Sequence, residues 1–217
     1  MSGGLAWWLE RKWLAAQASL AVLLGLKSRA QALYARIVAR APGDLVARAT
    51  LGNMLMEQGQ GEAAIGQFEA LLRAHPEHAD SWFNLGFIQE KFDRVEAAEQ
   101  SFRRALALNA KHDRAWYGLG LVLIRQGRLR EAVAALKKNT ELQPFSPYGF
   151  YQLAMTHHHL GEDAEAWRLQ RHLQSFEPKF AAGLKRDLEQ TPVQSRNAEA
   201  ALSAPVLPTS SAATHAL

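Results

Sequence analysis

The sequence repeats with a period of 34 residues, and a chain that repeats at that length cannot be folded as an ordinary single-core domain. A small residue follows leucine at Leu51-Gly52, Leu85-Gly86, Leu119-Gly120 and Leu153-Ala154, each pair 34 residues after the last. Alanine recurs in the same register at Ala64, Ala98, Ala132 and Ala166, with a turn residue between at Gly59, Asp93, Gly127 and Gly161. Prolines stand at Pro76, Pro144 and Pro178, with Ala110 in the remaining slot. No insertion or deletion breaks the phase from Leu45 to Pro178.

A unit of this length is predicted to be two antiparallel helices. The glycine or alanine after each leucine, facing the recurring alanine, lets two backbones approach where a bulkier residue would overpack the crossing. The four leucines fill the seam, with Trp82, Trp116 and Phe150 one turn earlier. Gly59, Gly127 and Gly161 supply the positive φ that commonly ends a helix, and proline closes the unit because it cannot continue a helix interior. One such unit cannot bury its apolar stripe alone, so neighbours must stack.

These residues carry a resemblance to the tetratricopeptide repeat family, whose pattern is W-x2-L-G-x2-Y, then A-x3-F, then P. The chain reads Trp82-x2-Leu85-Gly86 then Ala98-x3-Phe102, and Trp116-x2-Leu119-Gly120-x2-Leu123 then Ala132-x3-Leu136; Ala64-x3-Phe68 and Pro76 complete another unit. It departs from the pattern where Arg48 replaces the first aromatic, where Gln89 and His157 replace the second, and where Gln170 replaces the phenylalanine. The resemblance implies an all-α fold, an α-solenoid of tandem helix-turn-helix repeats winding as a right-handed superhelix. The units are 45–78, 79–112, 113–146 and 147–178.

The register extends backwards through Gly25, Ala30, Tyr34 and Pro42, with Leu14, Gln17 and Ala18 in the slots of the preceding helix. Residues 11–44 therefore read as a degenerate capping repeat behind an extension at 1–10. A second reading stays open here. Trp13 to Leu26 is a largely apolar run behind Arg11 and Lys12. It is short for a bilayer span, but with Trp7 and Trp8 it suits a targeting segment or a helix lying in a membrane interface. At the other end, Phe180, Leu184 and Leu188 place one apolar face on a helix over 179–190, which covers the last repeat. Residues 191–217, rich in Ala, Ser, Thr and Pro, read as a disordered tail.

In the family, the first helices of successive repeats line a concave groove. Transferred position by position, the resemblance implies a peptide-binding surface of Asn53, Met56, Phe83, Asn84, Phe87, Arg114, Tyr117, Leu121, Tyr148, Tyr151 and Met155. Aromatics and methionine offer adaptable contact area, and asparagine bonds peptide backbone through both its oxygen and its nitrogen. The alternative for Phe83, Phe87 and Tyr117 is that they pack against the next repeat. The chaperone-carboxylate clamp of some family members is rejected. Asn53 and Asn84 match it and Arg114 substitutes for one cation, but Ala49 and Gly118 depart, leaving too little positive charge for a carboxylate.

Other candidates carry less. His157, His158 and His159 are consecutive, so on a helix they point about 100° apart and do not converge on one metal ion. His75 and His78 flank a helix end and read as solvent-facing. Arg103, Arg104, Arg128, Arg130, Lys137 and Lys138 could form a basic stripe for nucleic acid, but glutamates are interspersed. The formal net charge is only +4 over 217 residues, and there is no cysteine for a disulfide, a thiolate metal site or a nucleophile. No phosphate loop, nucleophile elbow or metalloprotease helix is present. The reading is an adaptor or scaffold without a cofactor, holding a protein or peptide, and not an enzyme. Its placement is cytoplasmic; the alternatives are a membrane-associated assembly factor, docked through the N-terminal helix and recruiting an envelope or secretion complex, and a self-assembling scaffold.

Overall fold

The computed structural model describes residues 2–191, so the tail expected beyond Thr191 lies outside the described residues. Among them are eleven α-helices and no strand: α1 Ser2–Leu23, α2 Lys27–Arg40, α3 Leu45–Glu57, α4 Gly61–Ala74, α5 Ala79–Lys91, α6 Val95–Leu108, α7 Asp113–Arg125, α8 Leu129–Leu142, α9 Pro147–His159, α10 Asp163–Gln174 and α11 Pro178–Gln190. The helix starts at 45, 79, 113 and 147, and again at 61, 95, 129 and 163, keep the 34-residue spacing. The same spacing leads back to both ends of α2 and to the end of α1, although α1 itself runs through residue 10 without a break. In contrast, α11 starts and ends three residues ahead of the register.

The described residues form two compact units, divided between Val122 and Leu123. In the first, one continuous core joins Leu14 and Ala18 of α1 to Leu33 and Ile37 of α2, then to Leu51 and Leu55 of α3, Phe68 and Leu71 of α4, and Leu85 and Ile88 of α5. In the second, α9 packs on α8 and α10, and α11 packs on α9 and α10. Ala132, Leu136, Leu153, Ala166, Leu173 and Leu184 are buried there.

The turns repeat as closely as the helices. Gly25, Gly59, Gly127 and Gly161 all have φ between 70 and 79°, and Asp93 holds the same slot at φ 63°. Each is followed by a residue whose N–H reaches back five positions: Leu26 to Ala21, Gln60 to Leu55, Arg94 to Gln89, Arg128 to Leu123 and Glu162 to His157, at 2.7–2.9 Å. This left-handed stop satisfies carbonyls that the ending helix would leave bare.

The starts of the first helices repeat too. Asp44 accepts the Ala47 N–H at 3.0 Å, and in the same position His78 and His112 accept from Ser81 and Ala115 through Nδ1, each at 3.2 Å. His78 is therefore a helix cap and half-buried rather than solvent-facing, and the His75 ring sits 2.9 Å from the Gly43 carbonyl oxygen. The sequence reading missed a cap series legible as Asp44, His78 and His112, all in one register; Ser146 holds the next slot without a side-chain cap bond.

Two slots differ from expectation in their physics. A Cβ on Gly52 would come 2.7 Å from the Phe68 ring, and one on Gly86 would come 2.9 Å from the Phe102 ring and 3.2 Å from the Ala98 carbonyl oxygen. The glycine thus makes room for the phenylalanine ring of the second helix first, and for backbone approach second. At the tryptophan slot, the Trp82 and Trp116 indoles donate to the carbonyls of Pro76 and Ala110, six residues back, at 2.8 and 2.9 Å. Arg48, which breaks the aromatic pattern, donates Nε to the Pro42 carbonyl at 2.8 Å.

Candidate functional site

The residues assigned to the groove divide into three groups. Met56, Phe83 and Tyr117 are buried, each less than a tenth exposed, and so cannot offer contact area to a partner. Met56 belongs to the continuous core. Phe83 stacks on Phe87 at 6.4 Å and meets the Phe102 and His112 rings at 6.0 and 4.8 Å. For these three the structure corrects the groove assignment in favour of packing: aromatics locked to the period are drawn inward by the apolar area they bury.

The second group is covered by α11. The Tyr148 ring meets Phe180 edge-on at 5.3 Å, and the Tyr151 hydroxyl donates to the Asp187 carboxylate. Burial and then that carboxylate raise the Tyr151 pKa well above its ordinary value. Nε2 of His158 lies 3.2 Å from the Thr191 carbonyl. Helix α11 thus engages the two tyrosines assigned to a ligand. No sequence signal pairs these tyrosines with Phe180 and Asp187, which lie 32 and 36 residues on, to either side of the 34-residue period. Met155 remains half-buried.

The third group stays accessible. Asn53 and Arg114 are exposed, and Asn84, Phe87 and Leu121 are half-buried. The Arg114 guanidinium lies over the Phe83 ring at 4.8 Å from its centroid, a cation–π contact that holds a long side chain in place. The His112 ring meets the same Phe83 ring at 4.8 Å. Burial lowers its pKa, partly opposed by Asp80, whose Oδ1 is 3.1 Å from Nε2. So α5 and α7 bring Phe83, Phe87 and Arg114 together. Asn53 sits elsewhere in the first unit, in a cleft of about 260 Å³ with Val22, Lys27, Thr50, Met54, Glu57 and Gln58. A larger cleft of about 540 Å³ lies on α4, α5 and α6, between Arg73, Trp82, Gln89 and Arg104, and none of the residues assigned to the groove lines it.

The histidine run behaves as the helical geometry predicts. His157 and His158 turn to different carboxylates at the start of α10, Glu162 and Asp163, each at 2.6 Å. Much of the basic stripe is neutralised locally, by Glu99 on Arg103 at 2.8 Å, Glu131 on Arg128 at 2.7 Å and Glu141 on Lys138 at 2.7 Å.

Comparison with known proteins bears on the fold. No curated protein matches the sequence. Among solved structures, that of MamA superposes with a TM-score of 0.72 at 22% identity, covering 79% of this chain and 94% of that one. YrrB, described as a TPR protein with an unusual peptide-binding site, gives 0.67 at 24% identity over 80% of this chain and 90% of that one. A tetratricopeptide repeat protein from Parabacteroides merdae gives 0.75 at 20% identity, over 88% and 75%. In sequence, the tetratricopeptide repeat family model matches residues 49–111 and again 89–147. That stretch keeps the 34-residue register of the helices, and over it the chain is similar to tetratricopeptide repeats.

Proposed function

We propose that the protein is an interaction adaptor that holds a peptide segment of a partner against the first helices of its repeats, centred on Asn84, Phe87 and Arg114. The observation that carries this is the Arg114 guanidinium poised over Phe83, beside the half-exposed Phe87 ring. A fixed cation, an apolar platform and an amide on neighbouring turns offer charge, side-chain contact and backbone hydrogen bonding at once. The partner chemistry that fits is an extended segment with an apolar side chain next to an acidic group. Asn53 and the cleft around it would extend the contact toward α1 and α2. The fold shared with YrrB supports the reading by analogy alone.

The test is selection from a displayed random-peptide library on the full chain. Enriched peptides should carry an acidic residue near an apolar one, and Asn84→Ala with Arg114→Ala should weaken them about tenfold or more. Peptides that bind the double variant equally well would move the working surface elsewhere, and a library that yields no binder would remove the reading.

A further inference from the structure

Helix α1 is apolar on both sides, and only one side is covered. Leu14, Ala18 and Ala21 face inward and are buried. On the opposite side Leu9, Trp13, Leu20 and Leu23 fall at intervals of four, seven and three, which on a helix keeps them within about 80° of arc. They are 55%, 63%, 54% and 82% exposed. A helix hydrophobic all round is ordinarily buried all round. Single exposed apolar residues need no explanation, but a continuous stripe from Leu9 to Leu23 does.

The charge around this stripe is as uneven as its hydrophobicity. Residues 1–44 carry Arg11, Lys12, Lys27, Arg29, Arg36 and Arg40 against only Glu10 and Asp44, a net of four positive charges, which is the entire formal excess of the chain. Asp44 pairs with Arg11, Glu10 with Arg40, and Lys27 meets Glu57 of α3 at 3.6 Å, so Lys12, Arg29 and Arg36 carry the excess. Lys12 lies 4.0 Å from the centroid of the Trp8 ring at the edge of the stripe. An indole beside an ammonium suits a boundary where one end of a side chain is dry and the other wet.

We propose that the uncovered face of α1 lies flat on an anionic lipid surface, with Leu9, Trp13, Leu20 and Leu23 in the headgroup–acyl boundary and the surrounding cations on the lipid headgroups. The inference is independent of the peptide-binding reading. Charge decides the occupant. A second copy's identical face would bring the same net-positive segment against itself, which disfavours that docking, whereas an anionic lipid surface attracts each nearby cation by about 1 kcal/mol. The stripe runs along the outer side of one helix rather than in a groove of the kind that receives a partner helix. Among the described residues no helix is long and apolar enough to cross a membrane, and a helix lying in the interface needs no such length.

The experiment is co-sedimentation of the full chain with vesicles of phosphatidylcholine alone and of phosphatidylcholine mixed with phosphatidylglycerol. It uses the unmodified chain, Leu9→Ser/Trp13→Ser/Leu20→Ser, and Lys12→Glu/Arg29→Glu, each checked for helix content by circular dichroism. The expected result is binding to the anionic vesicles, weakened about tenfold or more by either variant and by added salt. Absence of binding by the folded chain would overturn the proposal. So would equal binding to both vesicle types. An apolar variant that dissociates an oligomer in sedimentation without changing vesicle binding would assign the face to a second copy and overturn it too.

Discussion

Arg48 donates its Nε–H to the carbonyl of Pro42 at 2.8 Å, the bond that the Trp82 indole makes to Pro76 one repeat later. A residue that breaks the aromatic pattern thus keeps the function of the slot, because what the loop carbonyl requires is an N–H at that reach. Replacing Arg48 by alanine removes the bond, and a second one from Nη1 to Gln67 at 3.0 Å. The expected loss is about 1–2 kcal/mol, whereas Arg48→Trp should lose less than half as much. Urea denaturation midpoints at unchanged slope check this.

Glycines in this chain should separate by what surrounds them. Gly52→Ala drives a methyl group to 2.7 Å from the buried Phe68 ring, and is expected to cost about 1–3 kcal/mol. Gly66 lies inside α4 on an ordinary helical backbone, and an added methyl there would meet nothing within 4 Å, so Gly66→Ala should stabilise by about 0.5–1 kcal/mol. Gly59→Ala also meets open space, but at φ 76° the backbone alone should cost about 1 kcal/mol or more. Thermal denaturation of the three variants would distinguish these causes.

The cap on α7 should make stability depend on acidity. His112 accepts the Ala115 N–H through Nδ1, which only the neutral ring can do, and burial lowers its pKa below the ordinary 6.5. The unfolded chain therefore takes up the proton first. The stability from the neutral ring is complete above about pH 6.5 and is lost as pH falls through the ordinary value toward the lowered one. The slope from one such group is at most about 1.4 kcal/mol per pH unit. His112→Asn keeps a cap without the titration, and its melting temperature should fall less between about pH 7 and about pH 5.

Tyr151 and Asp187 tie α11 to α9. Tyr151→Phe removes the donor while keeping the ring, and should cost about 1–2 kcal/mol. The loss should be local. Hydrogen exchange of α11 amides is expected to accelerate about tenfold while α8 keeps its protection; uniform acceleration would instead indicate cooperative unfolding of the unit.

Most of the fold was legible because a strict period constrains helix ends, seam leucines and turn glycines together: Leu51, Leu85, Leu119 and Leu153 are all buried, and Gly59, Gly127 and Gly161 all take positive φ. The site was less legible. Position within a repeat shows which residues can face a groove, but not which of them the packing consumes. Phe83 and Tyr117 have the register of lining residues and are buried all the same, and nothing in the spacing of Tyr148 or Tyr151 shows that Phe180 and Asp187 meet them. The caps were legible in principle, since Asp44, His78 and His112 keep the period, but their chemistry differs and the recurrence is masked by residue type.

The three-residue advance of α11 sets where the array can be lengthened. A repeat inserted between Glu177 and Pro178 inherits the phase of the helices before it, and α11 can still close the new end. A repeat fused after Gln190 begins out of step, with its seam residues rotated away from the helix that should receive them. An engineer extending this scaffold would therefore splice upstream of the last helix and treat it as a detachable lid.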